Sequence, residues 1–358
     1  MPQQLNTKTV LVAPLNWGLG HATRCIPIIN CLLKKEVEVI IASDGAALDL
    51  LKKEFPLLPA FPLPAYDVRY PYNNMTVNIL LQLPKIARAI RKEYDAIQNL
   101  VATQDIQIII SDNRFGCFSP STYNVFMTHQ LNIMAPFPFA EKIIAWWNKR
   151  MLQRFDLCWV PDFEEAPGLA GQLSHPSPIK SVQYIGPLSR MKVLDLEKKY
   201  DAIAVLSGPE PQRTRLEKLI LEQALQLPYR ILLVRGLVED ESALRHEGTV
   251  SIVGHLTSSE LEVAIAKSAV MIARSGYTTV MDLVALGKRA ILVPTPGQTE
   301  QEYLGRLFGE TGQFVVEAQE NLTLKTGLKK VLSQKIKKKQ ERINDLSTYV
   351  NKLLQLGK

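Results

Sequence analysis

Cysteine is scarce in this chain of 358 residues. The four present (Cys25, Cys31, Cys117, Cys158) form no CxxC pair and no metal-ligand spacing. That excludes a zinc ribbon and a disulfide framework, and points to reduced thiols in a cytoplasmic protein. No D-x-D occurs, so the aspartate pair that clamps a diphosphate through a divalent ion is missing and no metal site is expected. Ser207-Gly208 follows a strand, but no GK[ST] comes after it, and Pro209 and Pro211 remove two amide donors, so this is not a P-loop. No apolar run approaches the length needed to span a bilayer. MPQQLNTK, ahead of the first strand, lacks the basic and apolar regions of a secretory leader. With no DNA- or RNA-binding signature either, nucleic acid is not an expected partner.

What is present is an ordinary globular composition, 46% hydrophobic and 22% charged, on a chain long enough for two domains. The net charge of +7 fits anionic partners such as a nucleotide diphosphate or an anionic lipid surface. Much of the excess lies in LKKVLSQKIKKKQER at 328–342, which reads as a solvated helix face, with membrane contact as the alternative. FAEKIIAWWNKRMLQRF at 139–155 reads as an amphipathic helix. Its Trp146, Trp147, Lys149, Arg150 and Arg154 suit a headgroup interface or a core-packed helix with a basic outer face.

Two similar halves open on strand, Gly-containing loop and helix: KTVLVAPLNWGLGHATRCIPIINCLLKK and YDAIAVLSGPEPQRTRLEKLILEQAL. Short apolar strands alternate with helices through both, which predicts α/β architecture with parallel sheets. Hydrophobic periodicity lapses after Ile185-Gly186-Pro187, marking a domain boundary. Residues 55–72, rich in Pro and aromatics, read as an ordered loop or lid.

The most informative stretch is IARSGYTTVMDLVALGKRAILVPTPGQTEQEYLG at 272–305. Arg274-Ser275-Gly276, with Tyr277 and Thr278, opens a helix whose bare amides and dipole suit a diphosphate. Asp282, about two turns on, is in reach of a ribose hydroxyl. Gln298, Glu300, Gln301 and Glu302 gather at the next corner, where amides and carboxylates read sugar hydroxyls. Ser207-Gly208, Arg235 and His255-Leu256 end neighbouring strands. At the N-terminal sheet edge, Gly18 and Gly20 let the chain turn sharply before His21, a base near neutral pH. Asp112 ends another strand, placed either to take a proton itself or to orient His21. His129 and Asn132 follow the next strand.

RSGYTTVMD followed by VPTPGQTEQEY resembles the donor-binding segment of GT-B glycosyltransferases. The resemblance is strongest to the MurG-type N-acetylglucosaminyltransferases with a glycosyltransferase family 28 C-terminal domain. Their R-S-G-x-x-T-x-x-E and P-x-x-x-x-x-x-Q-Q are matched here with Asp282 for the Glu and Glu302 for the second Gln. GLGHATR, HQLN (with Gln130 where the family has an acid) and IGP match more weakly. The resemblance implies the GT-B fold, two Rossmann-like domains facing across a cleft. Residues 1–187 would take the acceptor and 188–358 the donor, with a last helix, about 340–358, packing back on the first domain. It implies an inverting, metal-independent transfer from a UDP-sugar such as UDP-N-acetylglucosamine, with no cofactor. The acceptor would be a hydroxyl, lipid-linked or on a cell-envelope glycan, at the inner face of the cytoplasmic membrane, with the 55–72 loop shaping its side. His21 and Asp112 would be catalytic, and His255-Leu256 would hold the base.

Three alternatives stay open. A non-hydrolysing UDP-sugar epimerase shares the fold. A non-catalytic nucleotide-sugar-binding protein would use the same seat. GLGHAT is also two thirds of a dinucleotide fingerprint, with Asp44 near the place of its ribose acid.

Overall fold

A computed structural model describes residues 8–67, 75–133, 138–237, 244–334 and 345–356. The chain divides into two compact units, Met1–Arg190 with Ile343–Lys358, and Met191–Arg342.

The first unit is built on β1 (Thr9–Pro14), α1 (Leu19–Leu33), β2 (Glu38–Ser43), α2 (Gly45–Glu54), β3 (Ala60–Pro62), α3 (Met75–Gln104), β4 (Ile108–Asp112), β5 (Tyr123–Met127), α4 (Pro138–Leu152), β6 (Leu157–Val160) and β7 (Val182–Tyr184). Its seven strands run β3-β2-β1-β4-β5-β6-β7, all parallel. TVLVAP of β1 is buried along its whole length, as a central strand covered on both faces requires. Leu11, Ile40 and Ile109 of the sheet pack with Ile97 of α3.

The second unit holds β8 (Tyr200–Val205), α5 (Gln212–Ala224), β9 (Ile231–Val234), β10 (Arg245–Glu247), β11 (Val250–Val253), α6 (Ser258–Ala266), β12 (Ser268–Ala273), α7 (Tyr277–Ala285), β13 (Arg289–Leu292), α8 (Thr299–Thr311), β14 (Val315–Val316) and α9 (Leu324–Ser333). Strand order is β10-β11-β9-β8-β12-β13-β14, parallel except for β10 on β11. Ile272 and Ile291 pack with Ile220 of α5 and Leu328 of α9. The last helix, α10 (Leu346–Leu356), belongs to the first unit and packs on α1, where Lys35 Nζ donates to Ser347 Oγ at 2.8 Å.

Three stretches differ in detail from the sequence reading. Residues 60–62 are an edge strand rather than loop, and 68–72 lie outside the described residues. The helix expected over 139–155 stops at Leu152. Of the basic run, Lys329 and Lys330 are exposed on α9, and 335–342 lie outside the described residues.

The loop after β3 is anchored by a charge cluster that sequence periodicity does not reveal. Arg114 is fully buried and donates to Glu93 Oε1, to Asp44 Oδ1 at 2.6 Å and to the Pro64 carbonyl at 2.8 Å. Glu93, also fully buried, accepts from Tyr66 Oη at 2.8 Å and Gly116 N at 2.7 Å. The buried charges of Glu93 and Arg114 are thus each met by hydrogen-bonding partners.

Candidate functional site

Open parallel sheets present ligands beyond the carboxyl ends of their strands, at the point where successive connections leave in opposite directions. In the first unit that point lies between β1 and β4, paired so that Pro14 stands beside Asp112. Gly18, with φ +77°, is the N-cap of α1, and His21 falls in the helix's first turn. A side chain at Gly18 would be strained by that positive φ. His21 Nδ1 lies 3.1 Å from Asp112 Oδ1, its ring partly exposed and the carboxylate fully buried.

Arg24, one helical turn beyond His21 and 2% exposed, grips the same carboxylate. Its Nε donates to Oδ2 at 2.7 Å and its Nη2 to Oδ1, while Nη2 also lies 3.0 Å from His21 Nδ1. Burial alone would raise the Asp112 pKa, but the charges of Arg24 and His21 outweigh it and hold the group at about 2. Asp112 is therefore ionised at any working pH. Held in Arg24's fork and shut off from solvent, it faces His21, the geometry of a group that orients the imidazole. His129 is buried, with Nδ1 3.2 Å from Arg24 Nη1. The Asn132 Nδ2 group donates to the carbonyls of Gln172 at 3.0 Å and Pro176 at 2.9 Å, which braces the loop after β5.

In the second unit the switch point lies between β8 and β12. Ser207 and Gly208 are exposed beyond β8, with Gly208 at φ +105°. Gly276 is the N-cap of α7 and provides no side-chain cap, so the helix start offers backbone and dipole alone. α8 starts the same way at Gln298. Tyr277 is buried in the first turn; Thr278, Asp282, Gln298 and Glu300 are partly exposed.

Burial corrects two expected contacts, Arg274 and Ser275, and an ion pair engages a third, the partly exposed Arg235. Arg274 is 1% exposed and donates to the carbonyls of Gln212 at 2.8 Å, Val293 and Pro294 at 3.2 Å, and to Gln319 Oε1 at 2.7 Å. Burial lowers it to about 10, which leaves it protonated at neutral pH; it is a strut and does not reach a ligand. Ser275 Oγ donates to the Gln301 carbonyl at 2.8 Å. Arg235 Nε pairs with Glu217 Oε1 at 2.6 Å, an internal ion pair. The same corner is stiffened by Thr295 N to Gln301 Oε1 at 2.9 Å and Gly297 N to Glu302 Oε1 at 2.8 Å. These two bonds shape the loop ahead of α8. Arg274→Ala is expected to lower stability by roughly 2–4 kcal/mol, because buried carbonyls lose their donor. Urea denaturation with an unchanged midpoint would instead mean that the guanidinium faces a ligand.

His255 is exposed after β11 and Leu256 partly so. Leu256 also lines an apolar cavity of about 440 Å³ with Leu232, Val253 and Val263, under α6. That cavity extends to Lys199, Tyr200 and Lys267 at the amino-terminal end of β8, away from the switch point. Thr295 was not anticipated. Its hydroxyl is buried without a partner among the described residues, and the side chain of any residue replacing Gly208 would meet it at 3.9 Å. Among the described residues, no three His, Cys, Asp or Glu side chains are grouped to hold a metal ion, and no helix is long and apolar enough to cross a membrane.

Two Rossmann-like units of this kind define the GT-B fold, and solved glycosyltransferases share it across nearly the whole chain. Acinetobacter baumannii MurG aligns with TM-score 0.61 at 12% identity, over 97% of this chain and 99% of that one. The spinosyn rhamnosyltransferase SpnG aligns with TM-score 0.67 at 14% identity, over 97% and 100%. Residues 212–353 match the glycosyltransferase family 28 C-terminal domain. A Haemophilus influenzae UDP-N-acetylglucosamine–N-acetylmuramyl-(pentapeptide) pyrophosphoryl-undecaprenol N-acetylglucosamine transferase is 26% identical over 187 residues, 51% of this chain. The chain spans about half the length of the curated relatives it matches, 52%.

Proposed function

We propose that this chain is a glycosyltransferase that moves a sugar, N-acetylglucosamine in our reading, from a UDP donor to a hydroxyl acceptor. The observation that carries the reading is the His21–Asp112 pair at 3.1 Å, at the sheet switch point of a chain whose other unit contains most of the stretch that matches the family 28 C-terminal domain. The donor diphosphate sits on the start of α7 at Gly276–Thr278, with Ser207 and Gly208 across the switch point. Asp282 takes the ribose, Gln298, Glu300 and the Gln301 amide take the sugar hydroxyls, and the backbone at His255-Leu256 takes the base. Helix N-termini do the work of a metal ion, and no cofactor takes part.

The acceptor binds the first unit. His21 Nε2 removes the acceptor proton as the oxygen bonds the anomeric carbon from the face opposite the phosphate. The anomeric C–O bond breaks, UDP leaves, and the configuration inverts. A lipid-linked acceptor fits α4, where Ile143 and Trp146 are 54% and 63% exposed and Arg150 lies 5.8 Å over the Trp146 ring. Such a face suits an anionic cytoplasmic membrane surface, with the product a cell-envelope glycan.

The test is calorimetric titration with UDP, GDP, dTDP and NADH without added metal, then UDP-N-acetylglucosamine turnover with polyprenyl-linked acceptors on anionic vesicles. UDP is expected to saturate, and Asp282→Ala to weaken it roughly 10-fold while leaving the thermal midpoint in place, the size of one lost charge-assisted hydrogen bond. Binding of NADH alone would overturn the reading in favour of a dinucleotide site at Gly18–Thr23. Consumption of the UDP-sugar with no acceptor present would replace transfer with epimerisation.

A further inference from the structure

The pair at the first unit's switch point has a third member that the proposed chemistry does not use. A carboxylate beside a histidine ordinarily makes the ring a stronger base by stabilising the imidazolium. Here the same carboxylate also accepts both arms of the Arg24 fork, so a guanidinium stands beside the ring and opposes the carboxylate's effect on it. The groups facing His21 are Asp112 from β4, Arg24 from its own helix and His129 after β5; the Cys25 thiol lies 3.8 Å from Asp112 Oδ2. A proton on His21 would therefore add a second positive charge on the same carboxylate, 3.0 Å from a guanidinium that is 2% exposed.

We propose that Arg24 is a positioning residue that holds Asp112 in its fork and, lying 3.0 Å from the His21 ring, offsets the carboxylate's preference for a protonated ring. This rests on His21 acting as the base in the proposed transfer. The arrangement differs from a simple histidine–aspartate dyad in what it favours. The dyad stabilises the charged ring, whereas the added guanidinium works against that charge, in favour of the neutral ring that must meet the acceptor. Burial lowers the His21 pKa, Asp112 opposes that, and Arg24 adds to it, with the net shift downward. The downward shift favours the proton-accepting form relative to an ordinary histidine, and that form is lost as pH falls.

The experiment is a proton–nitrogen NMR titration of the full chain with labelled histidine, the His21 signal being assigned by its loss in His21→Asn. In the parent, the His21 midpoint is expected below about 6.5. In Arg24→Gln it should rise by about one pH unit or more. Arg24→Lys, which keeps the charge, should restore most of the depression. The acid limb of kcat/KM should move with the midpoint. An unchanged midpoint in folded Arg24→Gln overturns the proposal. If Arg24→Gln does not fold, Arg24→Gln/Asp112→Asn replaces the ion pair with two amides, and its midpoint must lie above that of Asp112→Asn. A midpoint that moves while the kcat/KM limb stays fixed supports the role of Arg24 and removes His21 as the base.

Discussion

His21→Ala is expected to lower transfer by roughly 10²- to 10⁴-fold, the range over which a positioned proton acceptor contributes. UDP affinity should stay within about twofold, since every residue assigned to the donor lies in the other compact unit. The asymmetry follows from place. His21 sits in the first turn of α1 behind a glycine N-cap, at the carboxyl edge of the sheet, its ring 16% exposed. Asp112→Asn should reduce turnover less and stability more. It leaves the Arg24 guanidinium buried with a neutral partner, and such broken pairs are costly. Single-turnover kinetics with saturating donor separate the two variants. If His21→Ala turned over within about threefold of the parent, the imidazole would be structural and the base would lie elsewhere.

The second large effect is on stability. Arg114→Leu is expected to cost roughly 3–5 kcal/mol, because it strands Glu93 as a lone buried charge and frees the Pro64 carbonyl. For a unit of this size that corresponds to a fall in thermal midpoint of roughly 6–20 °C. Arg114→Leu/Glu93→Leu should recover a good part of the loss, since an apolar pair needs no partners, and the recovery measures the coupling. Urea denaturation of the full chain checks both. A loss below about 1 kcal/mol in the single variant would show that water reaches Glu93 and that the cluster is not sealed.

The places where strands end were legible in the sequence; the partners waiting there were not. VLVAPL, IQIIISD and AVMIARS announce buried parallel strands by composition, and polar residues after them mark the sheet edge. Gly18 to His21 could be read as a site because the glycine, the strand end and the imidazole are neighbours in the chain. Arg24 sits three residues further on the same helix face, yet its role depends on Asp112, 88 positions away. Arg274 misled for the mirror reason. The motif that opens α7 looks like an anion seat, and the arginine in it looks like its cation. Its side chain instead turns inward to carbonyls contributed by residues 212, 293 and 294. Charge in a sequence carries no direction, and only the packed sheet says which way a guanidinium points. Edge strands β3, β7, β10 and β14 were equally hard to see, each being two or three residues long.

That brevity has a consequence of its own for life at high concentration. A sheet's outermost strand is a template onto which a foreign strand can zip, and long flat templates seed fibrils. All four margins of the two sheets end in stubs of two or three residues. At one of them β10 runs against the grain and carries Arg245 and Glu247. Such margins offer an incoming chain few ladder rungs, so folded molecules should stay colloidally separate even when crowded.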